Sequence, residues 1–257
     1  MPIITLTSDL GDTSHYPAIL KGIMLSMYPK AQIVDITHNI PSFDVMQAAY
    51  VVKSILSAFP KGSIHLIGID PDQSPSVVLD FDGQYFVGPD NGVLSLITKG
   101  QAREAHLVEN SGLIRTDYPA SFSAARVLAP TAAFLASGGT LDEVGPLSDL
   151  NVLHWGAPSY SQNCLRGKII HIDKFGNAIT NIDREDFMNI KNERRFEIFI
   201  RNVRLKRIVN TYSDVGKADA LAIFGESNHL EIAMREASAA DLLGLKVHDM
   251  ITIEFNQ

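Results

Sequence analysis

"PIITLTSDLGDTSHYPAILKGIMLSMYPKAQIVDIT", residues 2–37, decides the fold. It opens with a short apolar, β-branched run, the composition of a buried strand. The turn-rich "SDLGDTS" follows. In "YPAILKGIMLSMYP" the residues Ile19, Ile23 and Met27 then recur at helical spacing and predict a helix with that face toward the core. Pro17 suits the first helical turn, where a missing N–H costs nothing, and Ser14 is the candidate cap. "AQIVDIT" ends the stretch as a second strand. Working outward, "SFDVMQAAYVVKSILSAF" (42–59) predicts a second helix and "SIHLIGI" (63–69) a third strand. Strand, helix, strand, helix, strand implies a parallel sheet with crossover helices.

The pattern then changes. "SVVLDFDGQYFVG" (76–88) holds two β-rich runs around Asp82-Gly83, a hairpin signal. "NGVLSLIT" predicts a short helix and "EAHLVE" a strand. "AARVLAPTAAFLASGG" (124–139) reads as a small-residue helix stopped by two glycines. Residues 139–163 are loop-rich and mark a boundary. Beyond them "GKIIHIDKFGNAITNI", "RRFEIFI", "RLKRIV", "ALAIFG", "HLEIAM" and "MITIEF" are strands, and only "REDFMNI" and "SAADLLG" look helical. The expected class is α/β: an amino-terminal α/β domain with a mostly parallel sheet (1–158) and a smaller carboxy-terminal antiparallel β-barrel-like domain (163–257).

With 257 residues, 46% hydrophobic and 20% charged, the chain has the balance of a globular protein with a substantial core. The formal charge of −7 disfavours phosphate backbones, so nucleic acid is not an expected partner, whereas a cationic small molecule is tolerated. Cys164 is the single cysteine, which excludes an internal disulfide, and it reads as a small buried apolar residue. The opening "MPIITLTSDLGD" has no basic region, and no apolar run approaches the ~18 residues that span a bilayer. A cytoplasmic location with no membrane partner is expected.

In a parallel sheet, ligands bind beyond the carboxyl ends of the strands. Asp9 follows the first strand, Asp35 lies in the second with His38 after it, and Asp70 follows the third. The helix near Pro17 aims its amino terminus at the same place, where free N–H groups favour an anionic group. A metal-hydrolase reading would have Asp9, Asp12 and Asp70, with His38, hold a divalent ion that activates water. There is no HExxH and no calcium loop, so no metal is expected, and His38 is read as a loop residue satisfied by backbone. No G-x-S-x-G, Walker or G-x-G-x-x-G pattern supports serine-hydrolase or nucleotide-phosphate chemistry. "HIDKFGNAITNI" groups Asp173, Asn177, Thr180 and Asn181 around Phe175-Gly176. Such residues build turns. They also supply an aromatic face, an amide and a carboxylate, the groups that stack on a base, read its edge and hold an ammonium.

"LTSDLGD", "VDITHNIPSFDVMQAAY", "GPDNGVLSLI", "IDKFGNAITNI" and "HLEIAM" resemble the S-adenosylmethionine hydroxide adenosyltransferases, relatives of the fluorinase and chlorinase enzymes, in order from Thr7 to about Ala240. The resemblance implies a homotrimer with the ligand between one subunit's first domain and its neighbour's second. It also implies no cofactor, and attack at C5′ of S-adenosylmethionine by water or halide with release of methionine. By matching position, Asp9 would bind the ribose hydroxyls, Phe43 would pack on the nucleoside and Asp173 would hold the methionine ammonium. Asn177 would read adenine, with Phe175 and Tyr212 against its ring. The water-using branch resembles an Asp-Arg-His set on a "DPGVG-x-x-R" type loop and a "TFHGRD" type segment.

Here "DPDQSPSV" and "SFSAAR" keep Asp70 but set Val77 at the arginine position and Ser123 at the histidine position. Ala124 stands where the halogenating branch carries a serine. The activity implied is slow or altered hydrolysis of S-adenosylmethionine to adenosine and methionine, with Asp70 as the base and Ser123 orienting the water. The alternative is a non-catalytic S-adenosylmethionine or nucleoside binding protein on the same scaffold. "FGESNHLEIAM" sets Glu226 and Ser227 beside the place of the substrate carboxylate. A Glu226 turned inward would repel that carboxylate and favour a nucleoside without the amino-acid tail, and one turned outward is a solvated turn residue.

Overall fold

Strand β1 (Ile3–Ser8) is buried along nearly its whole length, and the first unit is built around it. In the computed structural model, which describes residues 2–154 and 156–256, the chain divides into two units, Met1–His154 and Trp155–Gln257. The first runs β1, α1 (Tyr16–Met27), β2 (Gln32–Thr37), α2 (Val45–Ile55), β3 (Ile64–Gly68), β4 (Ser76–Phe81), β5 (Gln84–Pro89), α3 (Val93–Ile97), β6 (Glu104–Leu107), α4 (Ala129–Ala136), α5 (Leu141–Val144) and β7 (Leu147–Asp149). Its seven-stranded sheet has the order β2-β1-β3-β5-β4-β6-β7. The first four strands are parallel, and β4, β6 and β7 are antiparallel.

The chain leaves β1 for β2 on one side and returns to β3 on the other, so the carboxyl end of β1, where Asp9 sits, is a topological switch point. Ile4 and Leu6 of β1, Leu20, Ile23 and Met24 of α1, and Ala129, Ala132 and Ala133 of α4 share one core. The buried stripe of α1 is thus Leu20, Ile23 and Met24, while Met27 is largely exposed, a rotation from the face expected at Ile19, Ile23 and Met27. Ser14 does not cap α1. The N-cap is His15 without a side-chain bond, and Ser14 Oγ donates to the carbonyls of Leu10 and Gly11. In β3 the imidazole of His65 is fully buried, stacked on Phe86, with Nδ1 2.8 Å from Thr5 Oγ1. Burial pushes it down to about 4, against the opposing bond from Gln84.

The β4–β5 hairpin turns at Asp82 (φ 53°) and Gly83 (φ 72°), the pair of positive φ values that an Asp-Gly turn supplies. The helix expected over 124–139 begins as a π turn, Ala124–Leu128, before α4. Pro130 explains the distortion. It lacks an N–H, and the carbonyl four residues back, Arg126 O, instead accepts from Arg115 N at 2.9 Å. The stretch read as loop, 139–163, holds α5 with a Thr140–Glu143 capping box and two three-residue strands, too short and exposed to carry a period.

The second unit runs β8 (Ser159–Ser161), β9 (Cys164–Ile172), β10 (Ala178–Asp183), α6 (Arg184–Lys191), β11 (Arg195–Ile200), β12 (Val203–Leu205), β13 (Ile208–Val209), β14 (Ala220–Phe224), β15 (His229–Met234), α7 (Ala239–Leu243) and β16 (Met250–Asn256). Its nine-stranded sheet has the order β12-β11-β16-β9-β10-β15-β14-β13, with β8 on β9. All its pairs are antiparallel but β13–β14. The sheet is nearly closed and barrel-like, β12 at one end approaching β14 near the other. "RLKRIV" is two strands rather than one. Alternate residues fill the interior: Leu165, Ile169, Ile182, Ile198, Ile251, Ile253 and Phe255, with Phe187 of α6. Cys164 at the start of β9 is half-buried, less than expected, because β8 is a short edge strand.

Candidate functional site

In the first unit, three loops meet at the carboxyl ends of β1 and β3. Ser8 and Gly68 are register partners. A Cβ on Gly68 would lie 3.7 Å from that of Ser8 and 3.8 Å from that of Ala124. Asp9, Asp70 and Ser123 therefore follow or precede neighbouring positions. Asp9 Oδ2 accepts from the backbone N–H of Phe43 at 2.9 Å. Phe43 has φ 67° and is 69% exposed, an unfavourable backbone and an unfavourable exposure for one aromatic residue. Asp70 also has positive φ, 45°.

Sequence reasoning missed Asp72, whose Oδ1 accepts from Ser123 N at 3.0 Å and so ties the two loops together. It also misread His38, which is buried and held by side chains rather than by backbone alone. Ser8 Oγ lies 2.7 Å from Nδ1 and Asp35 Oδ1 lies 3.3 Å from Nε2. Lys21 Nζ donates to Asp35 Oδ2 at 2.5 Å. Burial raises the Asp35 carboxyl, but the bonds from Lys21 and His38 outweigh it, and it stays below its usual range. Asp12 accepts from His38 N and Asn39 Nδ2. Among the described residues no group of three or more His, Cys, Asp or Glu could hold a metal ion.

In the second unit, Asp173 organises the β9–β10 loop. Its Oδ1 accepts from the N–H groups of Phe175 (2.9 Å) and Asn177 (2.8 Å), and its Oδ2 from Asn177 Nδ2 (2.9 Å). A carboxylate has about four acceptor sites, so one remains for a cation. Gly176 (φ 81°) seats the loop on α7: its carbonyl accepts from Ala240 N at 2.8 Å, and a Cβ there would meet Ser238 Oγ at 2.0 Å. Phe175 is 78% exposed, and Asn177 is buried with Nδ2 3.5 Å from Tyr212 OH.

Tyr212 OH donates to Glu231 Oε2 at 3.3 Å. Burial pushes the Tyr212 phenol up to about 12, assisted by the charges of Glu231 and Asp173. Burial likewise raises Glu231, with Asp173 and Glu226 adding to it. Glu231 was not singled out from the sequence, although a glutamate inside the apolar run "LEIA" was the available signal. Glu226 is exposed in the β14–β15 turn, and Ser227 O accepts from His229 Nδ1 at 2.8 Å. A cavity of about 600 Å³ elsewhere on this unit, lined by Lys191, Arg194, Arg195 and Lys206 with Glu193 and Glu197, contains none of these residues.

Residues 4–145 match the model of the SAM hydroxide adenosyltransferase N-terminal domain, and residues 167–252 that of the C-terminal domain. The chain belongs to the SAM hydroxide adenosyltransferase family. Relatives include the (R)-S-adenosyl-L-methionine hydrolase of Thermus thermophilus, 30% identical over 93% of this chain and 94% of the relative. Another is a fluorinase of an Actinoplanes species, 28% identical over 98% of this chain and 97% of the relative. An uncharacterized conserved protein of Thermotoga maritima superposes with a TM-score of 0.87 at 28% identity, over 98% of this chain and 99% of that one. Against this SAM hydroxide adenosyltransferase background, Val77 is 2% exposed within β4, its neighbours being Gly88 of β5 and Leu107 of β6. The position expected of an arginine is a packed apolar one. Among the described residues Ser123 Oγ reaches only the carbonyl of Ala120, at 3.5 Å.

Proposed function

We propose that the protein hydrolyses S-adenosyl-L-methionine to adenosine and L-methionine by attack of water at C5′. The observation that carries this reading is the match of both family domains together with hydrolase relatives spanning more than nine-tenths of the chain. The chemistry is consistent with the residues present. Methionine departs from a sulfonium as a neutral thioether, so no acid is required, and the protein has to align and desolvate the water. Asp70 acts as base and Ser123 orients the nucleophile. Asp9 takes the ribose hydroxyls beside Phe43. Asp173 takes the ammonium with its free acceptor site, Asn177 reads adenine between Phe175 and Tyr212, and Ser227 lies toward the carboxylate. A chain of net charge −7 favours a cationic substrate.

Purified protein incubated with S-adenosyl-L-methionine in ¹⁸O-labelled water should release methionine and adenosine, with the label in the 5′-hydroxyl. Binding without product, or unlabelled adenosine, would refute the reading. A homotrimer is part of the proposal, and light scattering on the eluting protein checks it.

A further inference from the structure

We propose that Ser8, His38 and Asp35 form a relay that carries away the proton Asp70 takes from the attacking water, an inference that rests on the hydrolase reading above. Asp35 stays ionised beside Lys21 and can only accept hydrogen bonds. His38 Nε2 therefore carries the proton that it shares with Asp35 Oδ1 at 3.3 Å. In a neutral imidazole this leaves Nδ1 as an acceptor, and Ser8 O–H, 2.7 Å away, donates to it. Leu10 N–H donates to Ser8 Oγ at 3.3 Å, which leaves the oxygen one lone pair for a further donor. The tautomer and the direction of the chain follow from the carboxylate outward.

The inner end of the relay is Ser8, 1% exposed, adjoining Gly68 and Ala124 and next in sequence to Asp9. The outer end is Asp35, whose side chain is 43% exposed. The buried His38 thus joins the strand ends to an ionised carboxylate that stabilises its cation. Its charged hydrogen-bond partners are Asp35 at the ring, Asp12 at the backbone N–H and, through Asp35, Lys21. With Val77 and Ser123 at the arginine and histidine positions, the relay supplies a route for that proton which those side chains do not.

The step balances. The water oxygen forms its bond to C5′ as the C5′–S bond breaks, and sulfur keeps the electron pair as a neutral thioether. The proton released passes to Asp70 and on, directly or through one water, to Ser8 Oγ while the Ser8 proton moves to His38 Nδ1. The imidazolium, stabilised by the ionised Asp35, returns its Nδ1 proton through Ser8 once the products leave, which restores the starting tautomer.

The test compares wild type, His38→Gln and Ser8→Ala for turnover of S-adenosyl-L-methionine across pH, with affinity measured by calorimetry and folding by thermal melting. Loss of the relay predicts a fall in kcat of about 10²-fold or more with KM within about threefold. The pH profile of kcat should change in His38→Gln, and added imidazole should restore part of the activity of His38→Ala. Variants that keep the wild-type rate would overturn the relay and leave the hydrolase reading standing. So would variants that lose rate with an unchanged pH profile. A wild type that binds the substrate and never forms adenosine overturns both.

Discussion

Gly176→Ala tests whether the loop carrying Asp173, Phe175 and Asn177 is set by its seat on α7. At φ 81° an alanine pays the left-handed penalty, about 1–2 kcal/mol. Its methyl would also lie 2.0 Å from Ser238 Oγ and 2.7 Å from Ser238 Cβ, distances that force the loop or α7 to move. Overpacking of this kind costs about 1–3 kcal/mol, so the sum is about 2–5 kcal/mol. Ser238 is also the N-cap of α7, accepting from Asp241 N at 3.1 Å, but a glycine cap costs only a few tenths of a kcal/mol. The double variant Gly176→Ala/Ser238→Gly should therefore recover part of the overpacking cost of about 1–3 kcal/mol and not all of it, because the Ser238 Cα, 2.9 Å from the added methyl, remains. Urea denaturation of the full chain measures the four corners of this cycle, and S-adenosylmethionine affinity follows the loop. A single variant within about 0.5 kcal/mol of wild type, or a double variant no better than the single one, refutes the packing argument.

Two further outcomes follow from individual residues. His65 stays neutral in the folded chain down to about pH 4 while the unfolded chain protonates it below 6.5. Stability should fall with acid across that window, by about 1.4 kcal/mol per unit and about 3 kcal/mol in all, and His65→Leu should remove this slope in urea titrations at pH 7 and pH 4. Asp9→Ala removes the acceptor of Phe43 N–H and the proposed ribose ligand, so the affinity for S-adenosylmethionine by calorimetry should drop about 10- to 100-fold, the scale of a charge-assisted bond. Asp9→Asn, which retains an acceptor oxygen for Phe43, should lose less.

What was legible in the sequence was local. The alternation from β1 to β3 is written in β-branched runs and helical spacing, and the Asp82-Gly83 turn in the two residues that tolerate positive φ. The residues at strand ends, Asp9 and Asp70, followed from the parallel order. Features that depend on partners distant in sequence were not legible. His38 finds Ser8 thirty residues earlier, Ser123 is pinned by Asp72, and Glu231 meets Tyr212 across two elements. Each pairing exists only once the sheet has assembled. The stretch 139–163 failed for a different reason: strands of three residues and a helix of four are set by pairing and capping, not by a period.

The π turn before α4 divides that segment into two parts. Because Pro130 interrupts the regular ladder and Arg126 O is bonded outside the helix, the bonding pattern changes between Ser123 and Ala129, while Ala124, Ala125 and Leu128 share one core with Ala129, Ala132 and Ala133. Half-buried Ser123 can therefore be exchanged at little cost to that core, whereas a larger side chain at buried Ala124 would have to displace it. A family that turns one scaffold toward different nucleophiles would benefit from such a position.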